Sequence, residues 1–525
     1  MDRRTFIGCL VAGVATETLE GDSGEDLQDG AGAERLAGVV VPALRGFGRR
    51  VGVRKELGLT MSASHKPTLV LLGVFLCWSA QSIAQEQPSS DRCKFISPKG
   101  ALGIIAADLD AQSGARAKRT RYLTFTHLAS LCTRDNVLEV YRQGAVKLLN
   151  GLSRSTETVK AQSIDPAGSI LRIDIEQLGW DASDWETLVA DYPYVLRPDS
   201  QLNAVLDDRT GTKIAFIRAD WFAFAASRSS LYEKVLKLPK TLQELATAQG
   251  VNIDNNVKRF AAQRLGVSKR ALDAINDSDV RTQNRVLERH PSANGYFWTT
   301  YDFSGNRANQ NVFEFPLGPG GSNGFVHNAS QTIFSLPNGF QGYFLSDAKG
   351  NTLSKGPTEI YRDPGFGLAD PLDDPSSVNA ISCMRCHYDG IRQARDQLRI
   401  SIINSRNQSR AVREQVESLY PPVERMDRLL SADASRFTEA MRRAGLDPNL
   451  KYKGAEPTFA LSTYYQQPLD LNKVAIELGV TKENFVQLAN DERPLGLILR
   501  RFNNNLLLPR DEFESSFKEL AKLVD

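Results

Sequence analysis

The feature that most constrains this chain is a pair of cysteines followed at once by a histidine. Cys383, Cys386 and His387 form the pattern C-x-x-C-H within a chain of 525 residues. Two thiols at this spacing can each form a thioether with one vinyl group of a haem, and the next histidine can ligate the iron. The pattern predicts one covalent haem c, with Cys383 and Cys386 as attachment residues and His387 as the proximal iron ligand.

A C-x-x-C pair by itself would also suit a zinc ribbon or a thioredoxin-like redox site. The sequence contains no second cysteine pair that could complete a four-ligand zinc site, and no strand–helix–strand pattern leads into the motif. The histidine directly after Cys386 removes most of the remaining ambiguity. A zinc half-site or a chance match is therefore the minor alternative.

The sixth iron ligand is less clearly indicated. Met426 and Met441 are the methionines that follow the motif, and thioether coordination raises the reduction potential, as suits an electron carrier. Met426 lies 426 − 387 = 39 residues beyond the proximal histidine and is the first candidate, although its helical neighbourhood counts against it. An open sixth position is the next alternative, followed by His290, His327 and Met441.

Two candidate export signals lie at the N-terminus. Residues 1–7 resemble a twin-arginine signal, whereas residues 61–84 have a polar start, an apolar core and small residues at the cleavage positions. We expect translation to begin at Met61, residues 1–60 to be a start-site artefact or disordered, and residues 61–84 to be a signal peptide. The mature chain would then begin near Gln85 and be periplasmic or secreted.

The rest of the composition is ordinary for a globular protein. Lys and Arg number 64 against 62 Asp and Glu, a formal net charge of +2, which points to no nucleic-acid partner. Beyond the signals no apolar run reaches the ~18 residues of a membrane span. After export and haem attachment, Cys93 and Cys132 are the cysteines left, and in an oxidising compartment we expect them to form a disulfide.

Periodicity predicts an α+β fold in successive regions. A helix from Asp135, an alternating strand at 171–175 and a capping box at Thr241 characterise the first region. A Pro-Asn-Gly turn at 337–339 indicates a central β-meander. We expect a loose tail at 85–118, an α+β domain at 119–255, a helical lead-in with the β-meander at 256–375, and a mostly α-helical cytochrome c-like haem domain at 376–525.

Part of the chain resembles a known class of proteins. Residues 382–391, S-C-M-R-C-H-Y-D-G-I, look like the haem motif of monohaem c-type cytochromes. Other stretches resemble large secreted bacterial proteins with a cytochrome c-like domain, namely 284–290, 301–303, 315–319 and 334–343. This resemblance covers about residues 120–525 and implies export of the unfolded chain before haem attachment. In a departure from small cytochromes c, β sequence and a proline-rich loop lead into the motif.

Three functions remain open at this point. The first is one-electron transfer to or from a redox partner protein. The second is a haem enzyme or gas sensor with an open, peroxidase-like sixth site, so whether the chain is an enzyme stays undecided. The third is a partner-binding protein in which the haem is auxiliary. Arg392, Arg395 and Arg399 follow helical spacing and indicate either a solvated helix face or a site for haem propionates or an acidic partner.

Overall fold

The structure, a computed structural model of the chain, describes residues 94–268, 284–320, 324–361 and 376–524. Both export signals, Cys93 and the segment immediately before residue 376 lie outside the described residues. The fold is α+β, with a mixed N-terminal region, a central antiparallel sheet and a helical C-terminal region. The predicted fold class is therefore confirmed.

The N-terminal region is built on a small mixed sheet. Its strands are β1 (Thr120–Thr124), β2 (Gln162–Ser163), β3 (Ile170–Asp174) and β4 (Phe216–Arg218), in the order β2-β3-β1-β4. Strand β1 pairs antiparallel with β3 and parallel with β4. All five residues of β1 are buried, because helices cover both faces of the sheet. Alternate residues of β1 enter different cores: Tyr122 packs with one cluster and Leu123 with another.

Helices surround this sheet. They are α1 (Pro98–Asp110), α2 (Gly114–Arg119), α3 (Thr126–Ser130), α4 (Asp135–Gly151), α5 (Ala182–Val189), α6 (Ser200–Thr210), α7 (Ala219–Ala226), α8 (Leu231–Leu236), α9 (Leu242–Ala248) and α10 (Ile253–Lys258). The apolar stripe predicted from Asp135 is the buried face of α4, and the Thr241–Glu244 capping box is present.

The central sheet has the antiparallel order β5-β6-β7-β8-β9. Its strands are β5 (Gln263–Ser268), β6 (Asn284–Ser292), β7 (Gly295–Asp302), β8 (Ala329–Ser335) and β9 (Gln341–Asp347). The predicted turn between β8 and β9 contains Gly339 at φ +91°, a left-handed conformation that glycine adopts without steric cost. The β-meander is therefore present, and β5 and β6 extend it.

Helices form the C-terminal region. They are α11 (Ile381–Cys386), α12 (Leu398–Ile403), α13 (Arg410–Leu419), α14 (Val423–Arg443), α15 (Pro457–Gln466), α16 (Leu471–Glu477), α17 (Lys482–Asp491), α18 (Arg493–Asn503) and α19 (Arg510–Ala521). Leucines of α12 and α13 pack with Val286 and Tyr301 of the central sheet. From α14, Asp433 accepts hydrogen bonds from Arg289 and from the Trp298 indole at 2.7 Å each. One cluster of buried side chains includes Leu123, Phe297 and Phe517, so the three predicted regions share a core.

A buried ionic network joins the N-terminal and C-terminal regions. Arg218 bonds to Asp220 at 2.6 Å and to Glu477 at 2.5 Å, and Arg510 approaches the same Glu477 carboxylate at 2.5 Å. His127 bonds to Asp220 through Nε2 at 3.0 Å. These side chains are 0–8% exposed. His127 thus has a structural partner.

Several predicted elements are wrong in the described residues. The expected loose tail contains α1, which begins with Ser97 as N-cap and Pro98 in its first turn and buries Leu102 and Ile105. The expected helical lead-in at 256–295 contains β5 and β6. The polar residues of β6 did not indicate a buried strand. Glu288 is nevertheless buried, because its carboxylate pairs with Arg264 and His290 instead of with water.

Candidate functional site

The C-x-x-C-H motif lies on the short helix α11 and the turn that follows it. Cys383 and Cys386 are three positions apart within α11, so both side chains lie on the same side of the helix. Cys383 is half-buried and Cys386 is buried, and neither forms a disulfide. His387 ends the helix, and its backbone N–H donates to the Cys383 carbonyl at 2.8 Å. The structure therefore brings the three predicted residues together.

Core packing fixes the orientation of α11. Ile381 and Met384 are buried on the side of the helix that packs into the protein, and Ile381 clusters with Phe459 of α15. The helix begins after Ala380, which has φ +69°. The Ser382 hydroxyl accepts a hydrogen bond from the Val378 N–H at 3.0 Å and so closes the first turn. The two cysteines have their positions set by these neighbours rather than by helix propensity.

The hydrogen bond of His387 determines which ring nitrogen can bind a metal. Its Nδ1 lies 3.1 Å from the carbonyl oxygen of Gly390. A carbonyl only accepts, so Nδ1 carries the proton and Nε2 carries the lone pair. Nε2 has no hydrogen-bond partner among the described residues. Iron-ligating and zinc-ligating histidines are commonly oriented in this way, with the other nitrogen donating to a carbonyl.

The protonation state of His387 agrees with this arrangement. Burial lowers its pKa to about 4, the hydrogen bond to Gly390 opposes that change, and the charges of Arg392 and Arg285 reinforce it. The imidazole is therefore neutral near pH 7, which is the form that coordinates a metal.

Three contacts hold the turn that follows His387. The Tyr388 carbonyl accepts a hydrogen bond from Lys147 of α4 at 3.0 Å. The centre of the Tyr388 ring lies 3.7 Å from the Lys451 ammonium. Gly390 has φ +114° and lies so close to α14 that a Cβ atom would be 2.9 Å from Cα of Ala434. Elements far apart in the sequence therefore meet at this turn.

Lys147 is a buried cation with a buried counter-ion. Its ammonium lies 3.1 Å from the Glu456 carboxylate, and the two side chains are 8% and 1% exposed. The Glu456 carboxylate also caps α15 by accepting the Phe459 N–H at 2.7 Å. No local sequence pattern predicts this pair. Through it, Lys147 of the N-terminal region supports the turn after His387.

The three arginines after the motif do not share a helix face. Arg392 and Arg395 precede α12, and only Arg399 lies within it, so the interpretation of the three as one solvated helix face is wrong. The Arg399 guanidinium donates to the Glu417 carbonyl at 2.7 Å, so this side chain is held by a contact within the protein. Arg392 is half-buried, acts electrostatically on His387 and has no ion pair among the described residues.

The candidate sixth ligands occupy different environments. Met426 and Met441 are buried in α14, 1% and 3% exposed, within the hydrophobic core. Both ring nitrogens of His290 are engaged, Nε2 with Glu288 at 2.9 Å and Nδ1 with Asn256 at 3.3 Å. The buried His327 ring packs edge-on against Tyr301. Met426 as the sixth ligand stays a prediction.

Two tyrosines lie near Cys383 that the sequence did not identify as part of the site. Burial raises the pKa of both Tyr232 and Tyr343, and proximity to Cys383 adds to the effect. The Tyr343 N–H donates to the Tyr232 hydroxyl at 3.0 Å, and the Tyr343 hydroxyl donates to Gln341 at 2.9 Å. Only the tertiary fold brings these residues to the motif.

Cys132 is disulfide-bonded, but Cys93 lies outside the described residues, so the predicted pairing of the two stays a prediction.

The described ranges contain no group of three or more His, Cys, Asp or Glu side chains that could hold a metal ion. Among the helices that the structure describes, none combines the length and apolar character needed to cross a bilayer. Comparison with protein-family models, curated proteins and solved structures finds no match.

Proposed function

We propose that this chain is an exported c-type cytochrome that carries one covalent haem and transfers electrons to or from a redox partner protein. The observation that carries the proposal is the geometry of the motif. Cys383 and Cys386 lie on one side of α11, next to an imidazole whose Nδ1–H is bound to a carbonyl and whose Nε2 has no partner among the described residues. This donor set fits a haem held by two thioethers and one histidine.

Each residue has a distinct task in this proposal. Cys383 and Cys386 would hold the macrocycle, and His387 would supply a nitrogen ligand to the iron through Nε2. The Gly390 carbonyl keeps the imidazole in one orientation and increases its electron donation. Arg392 offers charge-assisted hydrogen bonds to a propionate. When bound, a haem supplies one-electron exchange between the ferrous and ferric states.

Haem attachment is tested on the full chain made in a host that matures c-type cytochromes. We expect one haem per chain that stays with the polypeptide after acid–acetone extraction, with the absorption spectrum of a thioether-linked haem in alkaline pyridine. Cys383→Ala together with Cys386→Ala should lose the covalent haem. Met384→Leu is the matched control, since it changes a residue inside the motif and leaves C-x-x-C-H intact.

The opposite results are equally clear. Haem that is fully extracted from the parent chain, or a chain that purifies with stoichiometric zinc and no haem, would contradict the proposal. Loss of haem from Met384→Leu to the same extent as from the double cysteine variant would show that folding, not attachment chemistry, explains the loss.

A second candidate function is a haem enzyme or gas sensor with an open sixth site. The observation that favours it is the placement of Met426 and Met441 in the hydrophobic core, together with the full engagement of the His290 ring. Rapid binding of carbon monoxide to the reduced parent protein, with a five-coordinate spectrum before the gas is added, supports this candidate. A six-coordinate spectrum with no reaction supports electron transfer.

A further inference from the structure

The C-terminal helix α18 presents leucines to solvent. Leu497 in the helix is 53% exposed, and Leu506 and Leu507 in the segment that follows it are 56% and 49% exposed. The helix packs against α17, where Gly496 lies so close that a Cβ atom would be 2.8 Å from the Ala489 carbonyl oxygen. Leu495 is the residue of α18 that is buried. The side of the helix that bears Leu497 is therefore left uncovered by α17.

Contacts with Arg501 bring the three leucines to the same end of α18. Leu497 and Arg501 are four residues apart on the helix and so are neighbours on its face. Beyond the helix end, the Leu506 N–H donates to the Arg501 carbonyl at 3.2 Å. The Arg501 guanidinium donates to the Leu507 carbonyl at 2.9 Å and to Glu512 at 2.8 Å. The chain thus folds back and places the backbone of Leu506 and Leu507 beside Arg501, one helical turn from Leu497.

Cations flank this leucine surface. Arg493 lies four residues before Leu497 and Arg500 three residues after it, so both border Leu497 on the helix. Both arginines are exposed, and neither forms an ion pair within the described residues. The acidic residues nearest in sequence are Asp491, which ends α17, and Glu492, the N-cap of α18, while Glu512 pairs with Arg501. The exposed face therefore combines half-exposed leucines with unpaired guanidinium groups.

We propose that this face, made of Arg493, Leu497, Arg500, Leu506 and Leu507, docks on an anionic lipid bilayer. Leucines on one side of a helix bordered by arginines are the pattern of interfacial helices, in which the aliphatic parts enter the headgroup region and the cations contact lipid phosphates. Protein-binding hot spots favour Trp, Tyr and Arg and are poor in Leu, whereas this face is built on leucines and has neither Trp nor Tyr. The inference concerns a surface away from the C-x-x-C-H motif in sequence and does not rest on haem attachment.

Sedimentation with vesicles tests the proposal. We expect the full chain to bind vesicles that contain phosphatidylglycerol, to bind phosphatidylcholine vesicles more weakly, and to lose affinity as salt is added. Replacing both arginines by glutamine should lower the partition coefficient about 25-fold, since each cation near an anionic surface contributes about fivefold. Replacing the three leucines by glutamine should lower it by about tenfold or more.

A matched control is available elsewhere on the surface. Ile400 in α12 is 67% exposed, and Ile400→Gln should leave vesicle binding unchanged. All variants should keep the melting temperature of the parent, because the changed side chains are exposed. The proposal is overturned if the parent does not sediment with anionic vesicles, or if the triple leucine variant binds them as well as Ile400→Gln does. Equal binding to both lipid compositions, or binding to an acidic protein and not to vesicles, also overturns it.

Discussion

Gly390 offers a way to disturb the predicted proximal histidine without replacing it. A side chain at φ +114° is strained, which costs about 1–3 kcal/mol. An added Cβ would also lie 2.9 Å from Cα and 3.2 Å from the carbonyl oxygen of Ala434, and such overpacking costs about 1–3 kcal/mol. We therefore expect Gly390→Ala to lower the free energy of unfolding by about 2–6 kcal/mol.

The same substitution should alter the site itself. The Gly390 carbonyl accepts the Nδ1–H of His387, so a shift of this backbone weakens the bond that orients the imidazole. Urea unfolding of the parent and the variant measures the loss of stability. In haem-loaded protein, the absorption spectrum and reduction potential report the orientation and basicity of the proximal ligand. We expect both to change.

Gly445→Ala is the matched control, because Gly445 also has a positive φ, +79°, but no atom lies within 4 Å of an added Cβ. It should show backbone strain alone, about 1–2 kcal/mol, and an unchanged haem spectrum. The reasoning is refuted if Gly390→Ala costs no more than Gly445→Ala and leaves the spectrum unaltered. Adding Ala434→Gly should restore only part of the stability, since the backbone atoms of residue 434 remain.

Three further predictions concern other residues. Burial by itself raises the pKa of Glu477, but two arginines outweigh it and lower that pKa to about 2. The ionised carboxylate therefore contributes its full stabilisation of the fold above the pKa of the unfolded state, and this stabilisation is lost as the pH falls toward 2. Glu477→Gln should cost about 3–5 kcal/mol near pH 7, with a difference from the parent in urea unfolding that shrinks below pH 4. Met426→Ala should cost about 2–5 kcal/mol; reactivity with carbon monoxide gained only in this variant would identify Met426 as the sixth ligand, whereas an unchanged spectrum would show a core residue. Thiol labelling of the unfolded, unreduced mature chain should modify neither Cys93 nor Cys132, and two labelled cysteines would rule the bridge out.

Local signals in the sequence predicted much of the fold. The stripe that begins at Asp135 predicted α4, and alternation at 171–175 predicted β3 to within one residue. The turn at 337–339 predicted the β8–β9 hairpin. In each case the residues that define the element lie within a few positions of one another and face a single core. Such patterns are recognisable because one periodicity dominates the segment.

The errors have an equally physical cause. The run at 214–221 predicts one strand from its residue types, but β4 ends at Arg218 and α7 begins at Ala219, so the run is divided between two elements. Ser183 and Glu186 have the spacing that predicts a capping box, but the box lies at Asp181 and Asp184. In both segments the local residue pattern allows more than one boundary, and tertiary packing determines where each element begins and ends.

For the candidate site, the sequence supplied the three residues of the motif but not their surroundings. The spacing of Cys383, Cys386 and His387 is a local property. Lys147, which donates to the Tyr388 carbonyl, and Tyr232, which lies near Cys383, are distant in sequence and reach the motif only through the fold. No periodicity or spacing within the chain could have identified them.

The contact between α4 and α15 has a consequence for how this protein can be divided. Gly144 of α4 meets α15 so closely that a Cβ atom would be 2.5 Å from the Pro457 carbonyl oxygen, and the Thr458 hydroxyl donates to the Gly144 carbonyl at 3.0 Å. The same helix supplies Lys147 to the turn after His387. A fragment that begins at residue 376 would lose α4, against which α15 packs, and Lys147, which donates to the turn after His387. We therefore do not expect the C-terminal region to fold as an independent domain.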